Sequence, residues 1–103
     1  MTSRTAITTD YYDDRANWSL ISEHIRETVR LYVMHGVPMG SFVTAVFENN
    51  FIEACGRADD DNRRGLIGWA TFVYNHTPHG CHGSPEKVDA WIAKGGLVGR
   101  EAP

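Results

Sequence analysis

The sequence has no long apolar run, no excess of basic residues and only two cysteines, and these shortages exclude several classes of function. Its apolar runs are far shorter than the roughly 20 residues that a membrane-spanning helix needs. The first ten residues also lack the apolar core of a secretory signal. We therefore expect a soluble protein in the cytoplasm, with no membrane partner.

The charge balance argues against direct nucleic-acid binding. Ten Lys and Arg against thirteen Asp and Glu give a formal net charge of −3. Proteins that bind a phosphate backbone present a concentrated basic surface. A DNA-binding regulator with a helix-turn-helix is disfavoured for the same reason, and because no helix has a basic recognition face.

The two cysteines, Cys55 and Cys81, are expected to stay reduced. Cytosolic proteins keep their thiols free. Cys55 also lies in an apolar helical pattern, where cysteine is typically a small core residue.

The chain of 103 residues, 42% of them apolar, fits one domain with a single core. Hydrophobic periodicity predicts an all-α fold, a compact bundle of about four helices. Residues 1–16 are polar and read as a flexible N-terminal arm, residues 17–96 form the helical domain, and residues 97–103 form a loose C-terminal tail.

The first two helices are separated by a turn at Gly36 and Pro38. The first starts at Asn17 and carries an apolar stripe made of Trp18, Ile21, Ile25, Val29, Tyr32 and Val33. The second starts with Ser41 as N-cap and is apolar nearly all round, which predicts the most buried element. Asn49 and Asn50 predict a kink or break within it.

The third helix follows an acidic run at 59–61, which we interpret as an N-terminal cap. The run lacks the glycine and distal glutamate of a calcium-binding loop. The predicted core stripe consists of Leu66, Ile67, Ala70, Val73 and Tyr74. Trp69 and Phe72 fall outside this stripe, which predicts a second apolar face that packs on the fourth helix or on another subunit of a homo-oligomer.

The fourth helix opens with Ser84 as cap and Pro85 in the first helical position, and Gly95 and Gly96 close it. Its apolar side consists of Val88, Trp91 and Ile92.

A loop rich in histidine, residues 75–84, suggests two kinds of chemistry. His76, His79, Cys81 and His82 are residue types that bind zinc, but structural zinc sites usually take ligand pairs from two separated segments. A cysteine enzyme would need Cys81 activated by one of the histidines. Neither spacing matches an established signature, and we predict neither a metal nor a cofactor.

A second candidate site joins the second and third helices. Arg57, together with Arg63 or Arg64, could contact a phosphate, and Trp69 or Tyr74 could stack on a base. The alternative is a solvated turn with weak surface ion pairs.

Several short segments between residues 20 and 92 resemble a group of small proteins encoded in bacteriophages and prophages. The segments are His35-Gly36-Val37-Pro38, Gly40-Ser41-Phe42, Ala45-Val46, Arg57-Ala58-Asp59, Asn62, Phe72-Val73-Tyr74-Asn75, Pro78, Gly83-Ser84 and Trp91. The resemblance implies a viral accessory protein and supplies no activity or site residue. Small phage proteins of this size often bind host defence components or sequester nucleotide signals.

The leading functional hypothesis is therefore a non-enzymatic accessory protein that binds and inhibits a host protein. The candidate contact residues are the Tyr11-Tyr12 pair, Trp69, Phe72 and the 75–84 loop. One alternative is a sponge for a small nucleotide signal. Another is a metal-binding protein or cysteine enzyme centred on the loop.

Overall fold

Seven α-helices account for most of residues 15–100, the part of the chain that the computed structural model describes. They are α1 (Arg26–His35), α2 (Ser41–Phe47), α3 (Phe51–Arg57), α4 (Asp60–Arg64), α5 (Leu66–His76), α6 (Pro85–Lys94) and α7 (Gly96–Arg100). Residues 15–100 contain no strand, so the all-α prediction is confirmed, with more and shorter helices than the four expected. None of these helices combines the length and the apolar character that a membrane crossing requires.

Four of the helix boundaries that the sequence predicted from local signals are confirmed. Gly36 ends α1 in the left-handed conformation at φ 72°, and its N–H donates to the Tyr32 carbonyl over 2.8 Å. Asn49, at φ 63°, breaks the long second helix into α2 and α3. Asp59 caps α4 by accepting a 2.8 Å hydrogen bond from the Asn62 N–H. Ser84 caps α6 in the same way, ahead of Pro85.

Two predicted helix starts are wrong. The α-helical part of the first helix begins at Arg26, and the preceding segment forms 3-10 turns at Trp18–Leu20 and Glu23–Ile25. Ser41 is not the cap of α2, because Gly40 occupies that position and no side chain caps the helix.

The expected loose tail is also wrong for residues 97–100, because they belong to α7. This helix packs on the end of α1 through glycine backbone. A Cβ added at Gly96 would lie 2.6 Å from the backbone N of His35. A Cβ added at Gly36 would lie 3.0 Å from backbone atoms of Gly95 and Gly96. The predicted arm, with the Tyr11-Tyr12 pair, lies outside the described residues except for Arg15 and Ala16.

The core lies between α1, α2, α5 and α6, and buried polar groups join these elements. The Trp91 indole N–H of α6 donates to the carbonyls of Tyr32 and Val33 in α1, over 3.1 and 3.2 Å. The Tyr32 hydroxyl donates to the Cys81 carbonyl over 2.7 Å. These bonds attach α6 and the 3-10 turn His79–Cys81 to α1, so the histidine loop is held at the end of the core.

Candidate functional site

Helix α5 faces the core with a different side from the one that the sequence predicted, although Val73 of the predicted stripe is buried. Trp69 and Phe72 are buried in the core, with 1% and 0% of their surface exposed. Ile67 and Tyr74, which the predicted stripe placed inside, are 83% and 82% exposed. The aromatic contact surface predicted from Trp69 and Phe72 is therefore wrong, and α5 presents a different apolar surface to solvent.

Contacts with distant parts of the chain set this orientation. The backbone of α5 lies against the Leu20 carbonyl at Gly68, where an added Cβ would come within 2.4 Å of the oxygen. The Trp69 indole N–H donates to the side-chain oxygen of buried Asn62 over 3.0 Å, and Ser22 donates to the same oxygen at 3.0 Å. These groups fix which side of α5 faces inward, because a buried indole N–H and a buried amide both need partners.

Aromatic contacts also pack the buried side of α5 against the rest of the protein. The Trp69 ring meets Phe42 of α2 edge to face, with centroids 5.4 Å apart. Phe72 lies 5.2 Å from the Trp18 ring by the same measure. Such pairs add to the free energy gained by burial alone, so the inner side of α5 is fully packed.

The flank of α5 between its buried and its exposed sides forms one wall of a groove of about 540 Å³. Ala54 of α3 and Ala70 and Val73 of α5 belong to its apolar lining, and the rings of Phe51 and Tyr74 also line it. Its polar lining comes from the α2–α3 turn, with Asn49 and Asn50, and from His82. Gly83 of the loop is tied to α2 by a 2.8 Å hydrogen bond from its N–H to the Phe47 carbonyl. The groove is therefore a mainly apolar cleft with ordered walls.

Four large apolar side chains on α3 and α5 are exposed to solvent. Phe51 is 67% and Ile52 78% exposed, in addition to Ile67 and Tyr74. We call these four residues, with the groove, the α3–α5 face. Elsewhere in residues 15–100 the other large apolar side chains with comparable exposure are Val37 and Val98, at 41% and 37%. Phe51 and Tyr74 also line the groove, and Ile67 lies seven residues before Tyr74 on the same side of α5. Much of the exposed apolar surface of residues 15–100 therefore lies on α3 and α5.

The arginines proposed for phosphate binding lie away from the groove. Each forms an ion pair within its own helix, Arg57 with Glu53, Arg63 with Asp60 and Arg64 with Asp61. Among the described residues, those that line the groove include no Lys, Arg, Asp or Glu. Of the predicted binding residues, the groove brings together only Trp69, Tyr74 and His82.

The histidine loop does not assemble the chemistry that its composition suggested. The His79 and His82 ring centroids are 6.3 Å apart, and the His76 ring packs at a tilted angle against Phe72, with centroids 5.8 Å apart. Over residues 15–100, no three His, Cys, Asp or Glu side chains are grouped so that they could hold a metal ion. Burial, with the nearby His79 and Lys87, lowers the pKa of His82.

Cys81 is fully buried, and burial raises the pKa of its thiol to about 12. A thiol with such a pKa stays protonated at neutral pH, and the thiolate is the reactive form. Cys81 and Cys55 are both free thiols.

Comparison of the chain with protein-family models, with curated proteins and with solved structures gives no match. The site is therefore interpreted from its own geometry.

Sequence reasoning missed three residues of the α3–α5 face, because it assigned Ile52 and Ile67 to the apolar surface of core helices and gave Phe51 no role. A signal was nevertheless present. The segment Leu66–His76 contains no Asp, Glu, Lys or Arg, so an amphipathic helix with a charged outer side cannot form there. Whichever side entered the core, the other would present apolar side chains.

Proposed function

We propose that this chain is a non-enzymatic binding protein that holds another protein against the α3–α5 face. Following the resemblance to phage-encoded proteins, the partner would be a host protein, bound and inhibited in the bacterial cytoplasm. The observation that supports the proposal is the exposure of Phe51, Ile52, Ile67 and Tyr74 on the two helices that wall the groove, with Phe51 and Tyr74 in its lining. Large exposed apolar patches are uncommon on monomeric proteins and mark contact surfaces.

The composition of the face favours a protein over a nucleotide as ligand. A nucleotide needs cationic groups or free backbone N–H groups for its phosphates. Among residues 15–100, the groove lining includes no Lys or Arg, and Arg57, Arg63 and Arg64 are each paired with a carboxylate of their own helix. Aromatic and branched apolar side chains around uncharged walls are the usual centre of a protein–protein interface.

The state of Cys81 supports a function without nucleophilic catalysis. Its thiol is enclosed in the core, and the turn that carries it is held by Tyr32. A substrate would have to open the core to reach it, and it would then meet a protonated thiol.

The proposal is tested by capture from host-cell extract with tagged wild-type protein and two variants. Ile67→Asp places a charge on the exposed side of α5, while Val37→Asp makes the same change at an exposed position outside α3 and α5. We expect wild type and Val37→Asp to retain one or more host proteins that Ile67→Asp loses, measured by quantitative mass spectrometry. A captured protein is then titrated against the purified chain by calorimetry. Identical capture by all three proteins contradicts the proposal.

A further inference from the structure

We infer that a second copy of this chain occupies the α3–α5 face when no other protein covers it, in a two-fold symmetric dimer. The inference rests on the proposed function in one respect, that this face is a protein contact surface. It names the occupant in the absence of a partner, and it is argued from the shape, the charge and the area of the face.

The face carries projecting side chains beside a receiving groove. A two-fold symmetric contact uses the same patch on both subunits, so the patch must carry both projecting and receiving features. The α3–α5 face has both. Ile67 and Tyr74 stand out from α5, seven residues apart and therefore on the same side of the helix. The groove lies beside them, between α5 and α3. A copy rotated by 180° can place these side chains in the groove of the first while receiving the same residues in return.

The charge of the face suits contact with an identical copy. Near a two-fold axis each charged group meets its own equivalent, and like charges repel strongly when they are desolvated. Within the described part of the chain, the groove lining includes no Lys, Arg, Asp or Glu. The four exposed apolar residues carry no charge, and the lowered pKa of His82 favours its neutral form. The groove lining therefore brings no like charges together across the two-fold axis.

The area of the face approaches what a stable dimer needs. Stable interfaces bury roughly 800 Å² on each partner. At their observed exposure, Phe51 and Tyr74 together present on the order of 300 Å² of surface, taking about 150–250 Å² for an aromatic side chain, and Ile52 and Ile67 add to this area. The groove walls and the Asn49–Asn50 turn can supply the remainder.

The test is the mass of the full-length protein in solution, by sedimentation velocity from low micromolar to several hundred micromolar concentration. We expect the mass of two chains at the upper end and reversible dissociation on dilution. Ile67→Asp should weaken the dimer at least about 100-fold, because the change occurs twice in a symmetric contact. Val37→Asp should leave the dissociation constant unchanged.

Circular dichroism of each variant checks that it is folded. If Ile67→Asp fails to fold, Tyr74→Ser, which shortens an exposed side chain of the same face, gives the decision in its place. A single-chain mass at all concentrations overturns the inference, and so does an assembly that the face variants leave intact.

Failure of the inference is distinguishable from failure of the proposed function. A wild-type monomer whose capture of a host protein is lost in Ile67→Asp refutes the dimer and leaves the proposed function standing. A dimer that Ile67→Asp breaks, together with unchanged capture of host proteins, supports the dimer and contradicts the proposed function.

Discussion

Helices α1 and α5 are similar in length but differ in how their outer sides meet solvent. In α1, Val29, Tyr32 and Val33 are completely buried, while Glu27 and Arg30 form a 2.6 Å ion pair on the exposed side. In α5 the inner side is equally well buried, but the outer side presents Ile67 and Tyr74. Helix α1 is therefore an ordinary amphipathic helix. Helix α5 is apolar on two sides, and the core covers only one of them.

The difference between the two helices teaches where a contact surface can arise in a small domain. The charged residues of α1 leave one possible orientation, and the backbone of α7 covers its C-terminal end. The charge-free sequence of α5 leaves two possible orientations, each of which exposes apolar side chains. Surface that is costly in water persists usefully only if another molecule covers it, and this is the physical basis of the proposed contact.

The largest expected change in stability comes from comparing substitutions on the buried and the exposed sides of α5. Trp69→Ala removes a buried ring and leaves Asn62 without its indole donor, so we expect a loss of about 3–5 kcal/mol in the free energy of unfolding. Tyr74→Ala, on the outer side, should change it by less than about 0.5 kcal/mol. Urea unfolding at low protein concentration measures both, and comparable losses would contradict the orientation of α5.

A smaller expected loss in the free energy of unfolding tests the packing of α7 on α1. Gly96→Ala adds a Cβ 2.6 Å from the His35 backbone at a φ of 73°, and we expect a loss of about 2–4 kcal/mol from overlap and backbone strain. Gly56→Ala is the matched control, because its Cβ would meet no atom within 4 Å and its φ is not positive. It should stabilise α3 by about 0.5 kcal/mol. Both values come from urea unfolding, and an unchanged Gly96→Ala protein would show that α7 does not pack on α1.

The smallest effect concerns pH at the edge of the groove. The pKa of His82 is lower in the folded protein than in the unfolded chain, so the unfolded state binds its proton more tightly. The contribution of His82 to stability is therefore present above its unfolded pKa, about 6.5, and is lost as the pH falls below it. Thermal unfolding between pH 7.5 and 5 should show a decline that is shallower in His82→Gln. Parallel curves for the two proteins would mean that burial of His82 has no energetic consequence.

Much of the secondary structure was predictable from the sequence, and the candidate site was predictable only in part. The ends of α1, α4 and α6 followed from Gly36, Asp59 and Ser84, because each of these residues satisfies backbone groups one turn away. Tyr74 and His82 of the site were predicted as binding residues, and both line the groove. Phe51, Ile52 and Ile67 were not predicted as binding residues. Apolar periodicity identifies apolar side chains, but it does not show which of them the core will bury.

The sequence by itself determined the all-α class, the break at Asn49 and the capped helix ends, because these depend on interactions within a few residues of chain. Only the tertiary structure decided which side of α5 faces the core, and that residues 97–100 form a helix against α1. Those outcomes depend on contacts between residues far apart in the chain, Leu20 with Gly68, Ser22 with Asn62 and His35 with Gly96. Local patterns carry no information about such contacts, and the α3–α5 face is their consequence.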